Sequence, residues 1–411
     1  MPTISRLARA AILVATVPMF AACDMGVSNP TVIDAATFDP TGDAALISLS
    51  AQSNFYRALG GIVPYSALFS QEAWVGAVRQ ETNDIGRRVM TAGTLDVNTA
   101  IWVPLQRAIA TNEQAIELLA AASGAATDVN LARVAMSSGF SLVLLAEHFC
   151  EGTIRVGPAL TPVQLLDTAI TRFNRAIAIA TAAGSGAEPT RILNAARLGL
   201  ARAALQKKDY ASAAQAAALV PATFVMNAPW VDDASNRSLG NTVYAYDIGG
   251  NLLVVPDAYR ALADPRVPWR DAARRAQDTQ FEHYQQMKYP GYASPIRVAS
   301  GLEARYIVAE ARLMTNDPAP ALALIAERRA ANQQPAFTGS SSAAILSELM
   351  DQRAREFWLE AKHVGDWRRN PTATPYVGAA GAPYYKPAQG TFGTASCLPI
   401  PEAELNANPN I

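Results

Sequence analysis

The chain has 411 residues, half of them hydrophobic, with 34 basic against 35 acidic side chains and a formal net charge of −1. That is ample material for a large core and suits a globular body, and the balanced charge removes the electrostatic case for a nucleic-acid partner. There are three histidines, His148, His283 and His363; none stands at metal-ligand spacing from another His, Cys or acid pair, so no metal is expected.

The N-terminus reads MPTISRLARAAILVATVPMFAACDMG. Arg6 and Arg9 form a positive n-region, Ala10 to Pro18 an apolar h-region too short to span a bilayer, and small residues precede Cys23. Residues 1–22 are therefore expected to be a signal peptide. The Ala-Ala-Cys junction resembles the lipobox of bacterial lipoproteins, which implies cleavage before Cys23 and lipid chains on its thiol and new amino group. Each buried methylene adds about 0.8 kcal/mol, so several acyl chains anchor a protein to a membrane without crossing it. No other stretch reads as a membrane helix. Residues 23–43, with Pro, Thr and Asp concentrated from Asn29 onward, read as a tether.

From Ala44 to Ile411 the chain reads as one domain: a helical scaffold in 44–220 and 299–370, a loop-rich insertion in 221–298, and a tail in 371–411. Thr99 to Ala122 places Trp102, Leu105, Ile109, Ile116 and Leu119 on one stripe. Asn130 to Phe149 continues in the same manner. Thr161 to Ala183 begins with a Thr N-cap and Pro162, and repeats Leu166, Ile170, Phe173 and Ile177 at helical spacing.

The next pair has a sharper pattern. Leu200, Ala201 and Ala204 precede a turn at Asp209-Tyr210, and Ala213 and Ala217 follow it. A second copy has Ala309 facing Ala321 across Asn316-Asp317-Pro318. Small residues where two helices cross closely resemble the tetratricopeptide repeat, whose pairs bury their faces only against neighbours and so stack into a curve.

Pro221 to Val298 breaks this periodicity. Aromatic residues there are interspersed with Gly, Asn, Asp and Pro, a pattern of long loops on a rigid scaffold, where binding groups tend to sit. Cys150 and Cys397 are the cysteines left after Cys23. An exported compartment favours a disulfide between them, and two buried thiols are the alternative.

Catalytic signatures do not emerge. There is no phosphate-cradling glycine loop and no G-x-S-x-G elbow. Carboxylates are plentiful and a glycosidase needs only two, but nothing singles out a pair. No cofactor and no enzymatic activity are expected.

The segment QRAREFWLEAKHVGDWRRNP, Gln352 to Pro371, crowds charges with two tryptophans. Met350, Ala354, Phe357, Ala361 and Val364 predict one apolar face on a helix that begins near Ser342 and is C-capped by Gly365. Arg353, Arg355, Glu356 and Glu360 would edge it, with local Asp351–Arg355 and Gln352–Glu356 pairs. Trp102, Trp358 and Trp367 are assigned to the core.

RAREFWLEAKHVGDWRR resembles the pattern of the SusD/RagB family of outer-membrane nutrient-binding lipoproteins, and the tail CLPIPEAELNANPNI resembles that family's ending. Asp264-Pro265-Arg266 and Pro295-Ile296-Arg297 agree with it. Ala361-Lys362 stands where the family usually has Gly-x, and Trp367 where it has an aliphatic residue. The resemblance implies an all-α dominated, tetratricopeptide-like scaffold with an irregular ligand-facing region. It also implies a non-catalytic lipoprotein of the outer membrane, facing the cell surface, that captures oligosaccharides or peptides for a TonB-dependent, SusC-like barrel. Asp24, next to Cys23, is a residue that in some bacteria signals inner-membrane retention.

Sugars present apolar C–H faces to aromatic rings and hydroxyls to polar side chains. Trp230, Tyr244, Tyr246 and Trp269 are the candidate rings, with Asn241 and Asp247 as polar neighbours and Trp74 and Arg79 joining from the other side. The competing reading is a tetratricopeptide-like lipoprotein that scaffolds envelope protein assembly. A neighbouring gene for a TonB-dependent barrel favours the first, and neighbours for barrel insertion or secretion the second.

Overall fold

The computed structural model describes Asp39 and residues 42–411. The expected signal peptide, Cys23, Asp24 and most of the expected tether lie outside the described residues.

Helices dominate. The first half runs α1 (Ala44–Phe69), β1 (Trp74–Val75), α2 (Gln80–Arg87), α3 (Val103–Ala120), α4 (Val129–His148), α5 (Pro162–Ala182), α6 (Ala187–Gln206) and α7 (Tyr210–Ala218). An irregular middle follows with β2 (Val225–Ala228), α8 (Thr242–Tyr244), β3 (Leu253–Val254), α9 (Asp257–Arg260), β4 (Trp269–Arg275), β5 (Glu282–Gln286) and β6 (Ile296–Ser300). Helices return as α10 (Gly301–Met314), α11 (Ala319–Ala331), α12 (Ser342–Glu356), α13 (His363–Arg369) and α14 (Glu402–Ala407).

The sequence sets the helix starts through caps. Thr161 and Gln164 close a capping box at α5 with Pro162 in its first turn. Asp128, Asp209, Ser300 and Ser341 cap α4, α7, α10 and α12 by accepting from backbone N–H groups one turn in.

Successive helices pack on one another from α3 through α7, and α1 lies against α3 and α4. Small residues set the close approaches. A Cβ on Gly139 of α4 or Gly199 of α6 would stand 2.7 or 2.2 Å from the ring of Phe173, which projects from α5 between them. The tetratricopeptide-like pairs are present: Ala201, Ala204, Ala213 and Ala217 are buried between α6 and α7, and Ala309 and Ala321 between α10 and α11.

The stack does not stop at the irregular segment, because α7 packs directly on α10. The intervening chain leaves and returns through one neck, where β2 pairs antiparallel with β6 and the Gly301 N–H donates to the Phe224 carbonyl at 2.7 Å. The other strands form two more antiparallel pairs, β1 with β3 and β4 with β5.

The tail crosses back over the scaffold. Cys150 and Cys397 are joined by a disulfide. Beside it the Cys150 N–H donates to the Leu398 carbonyl and the Leu398 N–H to the His148 carbonyl, at 2.9 and 2.8 Å. Farther on, Asn408 Nδ2 donates to the Gly157 carbonyl at 2.9 Å.

Several expectations from the sequence do not hold in the structure. First, α4 is long and apolar enough to cross a membrane, although the sequence reading found no such stretch beyond the N-terminus. It is the central core helix, with 89% of that apolar window buried. Second, residues 350–364 do not form one helix. The chain leaves α12 at Glu356, passes Leu359 and Ala361 in the left-handed region at φ 58° and 55°, and re-enters a helix at His363. Ala361 thus holds a conformation that glycine, usual in the resembled family here, adopts without a Cβ clash.

Gly365 lies inside α13 and does not cap it. A Cβ there would meet Gln206 Nε2 at 2.5 Å and Glu147 Cδ at 2.9 Å, so its role is close approach to α4 and α6.

The charges of this segment are also interior and not an edging. Glu360 sits against Lys288 and Arg297, each at a closest distance of 2.7 or 2.8 Å, and Lys362 Nζ bonds Glu303 at 2.6 Å. Arg353 pairs with Asp366 at 2.7 Å, and Arg369 grips both oxygens of Glu310 at 2.6 and 2.8 Å. The expected Asp351–Arg355 pair forms at 2.7 Å, whereas Gln352 turns its amide to Gln334 and Glu348 instead of Glu356. Burial pushes the Glu360 carboxyl upward, but Lys288, Arg297 and Lys362 together hold it far below its ordinary value. Trp102 and Trp358 are buried as expected; Trp367 is half-buried at the core's edge.

Candidate functional site

The hairpin β4–β5 carries the feature that most resembles a binding platform. Trp269, at the start of β4, is 37% exposed and is the only tryptophan, tyrosine or phenylalanine among the exposed large hydrophobics of the described residues. Its ring meets Tyr284 of β5 edge-on, centroids 5.6 Å apart. The Arg260 guanidinium, from α9, lies 3.6 Å from the Tyr284 centroid and 5.5 Å from that of Trp269, so cation–π contact holds both rings in place.

Trp269 borders a cleft of 560 Å³. One wall is the Asp264-to-Pro268 turn, and the other is Ala331, Asn332 and Gln333 at the end of α11. Asp264 fixes the floor: it accepts from Arg266 Nε at 2.9 Å, Gln334 Nε2 at 3.0 Å and Arg355 Nη1 at 3.2 Å. Burial acts to raise its pKa, but the hydrogen bonds and charge of Arg266 outweigh it and hold the carboxylate below the usual range. An exposed ring, a preset wall and amide side chains at the rim suit a ligand with an apolar face and peripheral hydroxyls.

The other sequence candidates do not join Trp269. Tyr246 approaches Tyr65 of α1, hydroxyl to hydroxyl, at 3.3 Å. Trp74 stacks on Tyr385 of the tail, 4.6 Å between centroids and 14° between planes, with Phe281 alongside. Arg79 has a half-exposed side chain and pairs with Asp96 at 2.6 Å. Tyr244 lies edge-on to Tyr292 at 4.6 Å, and Arg237 covers the Tyr292 ring at 4.3 Å.

Three candidates belong to the interior, contrary to expectation. Trp230 is buried against α1, where Gly60 makes room for it: a Cβ there would stand 2.4 Å from the indole. Asn241 caps α8 by accepting from the Tyr244 N–H at 3.0 Å and donates to the Ser294 carbonyl at 2.7 Å. Asp247 accepts from His283 Nε2 and the Gln286 N–H, each at 2.7 Å. Burial raises its pKa while the hydrogen bonds from His283 and the Gln286 N–H lower it, for a net upward shift. Each of these side chains has a folding task that keeps it from solvent.

The sequence reading missed Tyr284, Arg260, Asn332 and Gln333. Tyr284 stands in a β-type alternation, opposite Asp271 and so diagonal to Trp269 on the same face, and is accessible to a hairpin reading; the α11 residues meet the cleft only through the tertiary fold. Among the described residues, no three His, Cys, Asp or Glu side chains come together so as to hold a metal ion.

The sequence model of the SusD family matches residues 296–411. A SusD superfamily protein from Parabacteroides distasonis aligns with a TM-score of 0.69 at 14% identity, over 91% of this chain and 98% of its own. A SusD-like carbohydrate binding protein from Bacteroides vulgatus gives 0.67 at 16% identity, over 91% and 98%. The chain has the SusD fold. Surface glycan-binding protein A from Bacteroides thetaiotaomicron, solved in complex with laminarihexaose, aligns at 0.66 with 14% identity, over 88% of this chain and 97% of its own. No curated protein matches.

The SusD family match begins at β6 and takes in α10 to α14, the buried ion pairs of α12 and α13, and the tail. Of the cleft, it includes Asn332 and Gln333 but not Trp269. The family signal in the sequence is therefore mainly a scaffold signal.

Proposed function

We propose that this SusD-like chain is a non-catalytic glycan-binding lipoprotein that captures oligosaccharides in the Trp269 cleft. The observation that carries this reading is the half-exposed Trp269, braced by Tyr284 and Arg260 at the edge of a 560 Å³ cleft. An indole offers a sugar's C–H face a flat apolar partner, and Asn332 and Gln333 can bond its hydroxyls. The SusD fold, shared with a protein solved with laminarihexaose, supports the same reading.

Lipid at Cys23 would hold the protein to the outer membrane at the cell surface, and the glycan would pass to a TonB-dependent, SusC-like barrel. These steps extend the reading from the lipobox and the family resemblance.

The test is affinity electrophoresis of the mature domain through gels containing laminarin or other polysaccharides. Trp269→Ala is expected to lose retention, with binding weakened at least about tenfold, as for a central aromatic anchor. Unchanged retention of a folded Trp269→Ala protein overturns the assignment of the cleft.

A further inference from the structure

We propose a second ligand site on the opposite face of the β4–β5 hairpin, one that takes the carboxylate of an acidic sugar between Arg270 and Arg274. Successive residues of a strand point to opposite faces, so Arg270 leaves the hairpin on the side away from Trp269. There it borders a depression of 440 Å³ with Ile248, Ala272, Ala273, Arg274 and Gln285.

The hairpin is irregular at this point. Asp271 pairs with Tyr284 and Arg275 with Glu282, so Ala272, Ala273 and Arg274 together span what His283 spans alone on the partner strand. The bulge bows β4 outward, Ala273 takes φ 52°, and the Asp271 carboxylate is turned to the Ala273 N–H at 2.8 Å. Bulges of this kind re-aim side chains and are frequent beside binding sites.

What they re-aim here is Arg274. Its Nε donates to His283 Nδ1 at 3.3 Å and its Nη2 to the Ile248 carbonyl at 2.9 Å. Because Nδ1 is the acceptor, His283 carries its proton on Nε2 and donates it to Asp247 at 2.7 Å. Arg270 Nε is fixed in turn by Gln285 Oε1 at 2.9 Å. His283, Asp247 and Gln285 are all buried. A buried Asp–His pair and a buried amide thus hold two surface guanidinium groups in set orientations.

Neither cation touches a carboxylate, and Arg274 meets the charge of the buried Asp247 only from behind His283. Among the described residues neither Arg270 nor Arg274 forms an ion pair, whereas the next arginine, Arg275, is paired with Glu282 at 3.0 Å. Asp271 is the one carboxylate in the lining, and one of its oxygens accepts from the Ala273 N–H while neither guanidinium bonds it. Positioned guanidinium groups that keep N–H donors beyond those bonded to Gln285, His283 and Ile248 match the planar, bidentate demand of a carboxylate. Assigning that carboxylate to a glycan rests on the function proposed above; the site's preference for an anion does not.

The test is isothermal titration of the mature domain at low and moderate salt with three probes: oligogalacturonate, neutral laminarihexaose and an oligoglutamate peptide. Wild type is expected to bind oligogalacturonate more weakly as salt rises, Arg270→Gln/Arg274→Gln to lose at least about tenfold, and Trp269→Ala to keep that binding. Failure of every anionic probe on wild type, or equal binding by the double variant, overturns the site and leaves the Trp269 reading untouched. Oligoglutamate binding as tightly as oligogalacturonate overturns the glycan assignment. Loss of oligogalacturonate in the double variant, with laminarihexaose bound by neither protein, supports this site and counts against the other. His283→Ala tests the positioning role: it is expected to lower the unfolding midpoint, because Asp247 loses its hydrogen bond, and to weaken oligogalacturonate binding in protein that circular dichroism shows to be folded at the assay temperature, whereas unchanged binding overturns that role.

Discussion

Glu72, just past the end of α1, shows how a single side chain makes stability depend on pH. It is buried, its Oε1 accepts from the Leu359 N–H at 2.9 Å, and its carbonyl accepts from Trp358 Nε1 at 2.9 Å. Burial dominates, against the Leu359 bond and the charge of Lys288, and pushes its pKa from 4.5 to about 8. Between those values the folded protein keeps a proton that the unfolded chain has released, so stability falls as pH rises through that window. His148 acts in the other direction. Burial takes it from 6.5 to about 4, so the unfolded chain binds the extra proton and stability falls as pH drops from about 6.5 towards 4. The two effects oppose each other between about 4.5 and 6.5, and above that only Glu72 remains. Thermal melts from pH 6.5 to 8 are expected to show Tm falling in wild type and level in Glu72→Gln, which keeps the acceptor for Leu359. Parallel profiles would show that Glu72 is already ionised in the fold.

At the level of elements, the sequence displayed helix faces clearly and their junctions poorly. The stripe Trp102, Leu105, Ile109, Ile116 and Leu119 is buried as its spacing predicts, and the alanine pairs of α6–α7 and α10–α11 meet as expected. The break at Phe357–Lys362 was not legible, because what bends the chain there is a set of distant charges, Lys288, Arg297 and Glu303, waiting for Glu360 and Lys362. Trp230, Asn241 and Asp247 were read as ligand contacts for a related reason. Aromatic and polar residues in a loop-rich segment have the same local signature whether they face solvent or the scaffold, and only tertiary packing decides. Glycines inside helices were overlooked too. Gly199→Ala would gain helix propensity, about 1 kcal/mol, but its Cβ would stand 2.2 Å from Phe173, which is fully buried and cannot withdraw. A net loss of about 1–3 kcal/mol is expected in urea unfolding, as for other overpacked cores. Adding Phe173→Leu is expected to recover part of it, since the smaller side chain frees the space; additive losses in the double variant would place the strain elsewhere.

For the whole molecule, the tail decides how far the parts are coupled. It reaches the irregular middle at Lys386, whose ammonium bonds Asp278 at 2.5 Å and Asn83 at 2.8 Å. It then returns to α4 at Leu398, passes the start of α3, where Trp102 Nε1 donates to Glu404 at 3.3 Å, and ends with Asn410 Nδ2 donating to the Val156 carbonyl at 2.7 Å. The Cys150–Cys397 bridge closes a loop with a sequence separation of 247, and that loop contains the middle segment with its hairpin and α10 to α13. Closing so long a loop restricts the unfolded chain far more than the folded one, in which Leu398 is already hydrogen-bonded beside α4. Cys150→Ala/Cys397→Ala is therefore expected to fold, with the same far-ultraviolet circular dichroism, and to lose about 2–5 kcal/mol in denaturant unfolding. Intact mass of the wild type without reductant checks the premise, since a bridged protein shows no alkylatable thiol at either position. If the bridge is present and its removal leaves the unfolding midpoint unchanged, the backbone ladder at Leu398 and the ion pair of Lys386 hold the tail without it, and the disulfide adds nothing to the stability of the domain.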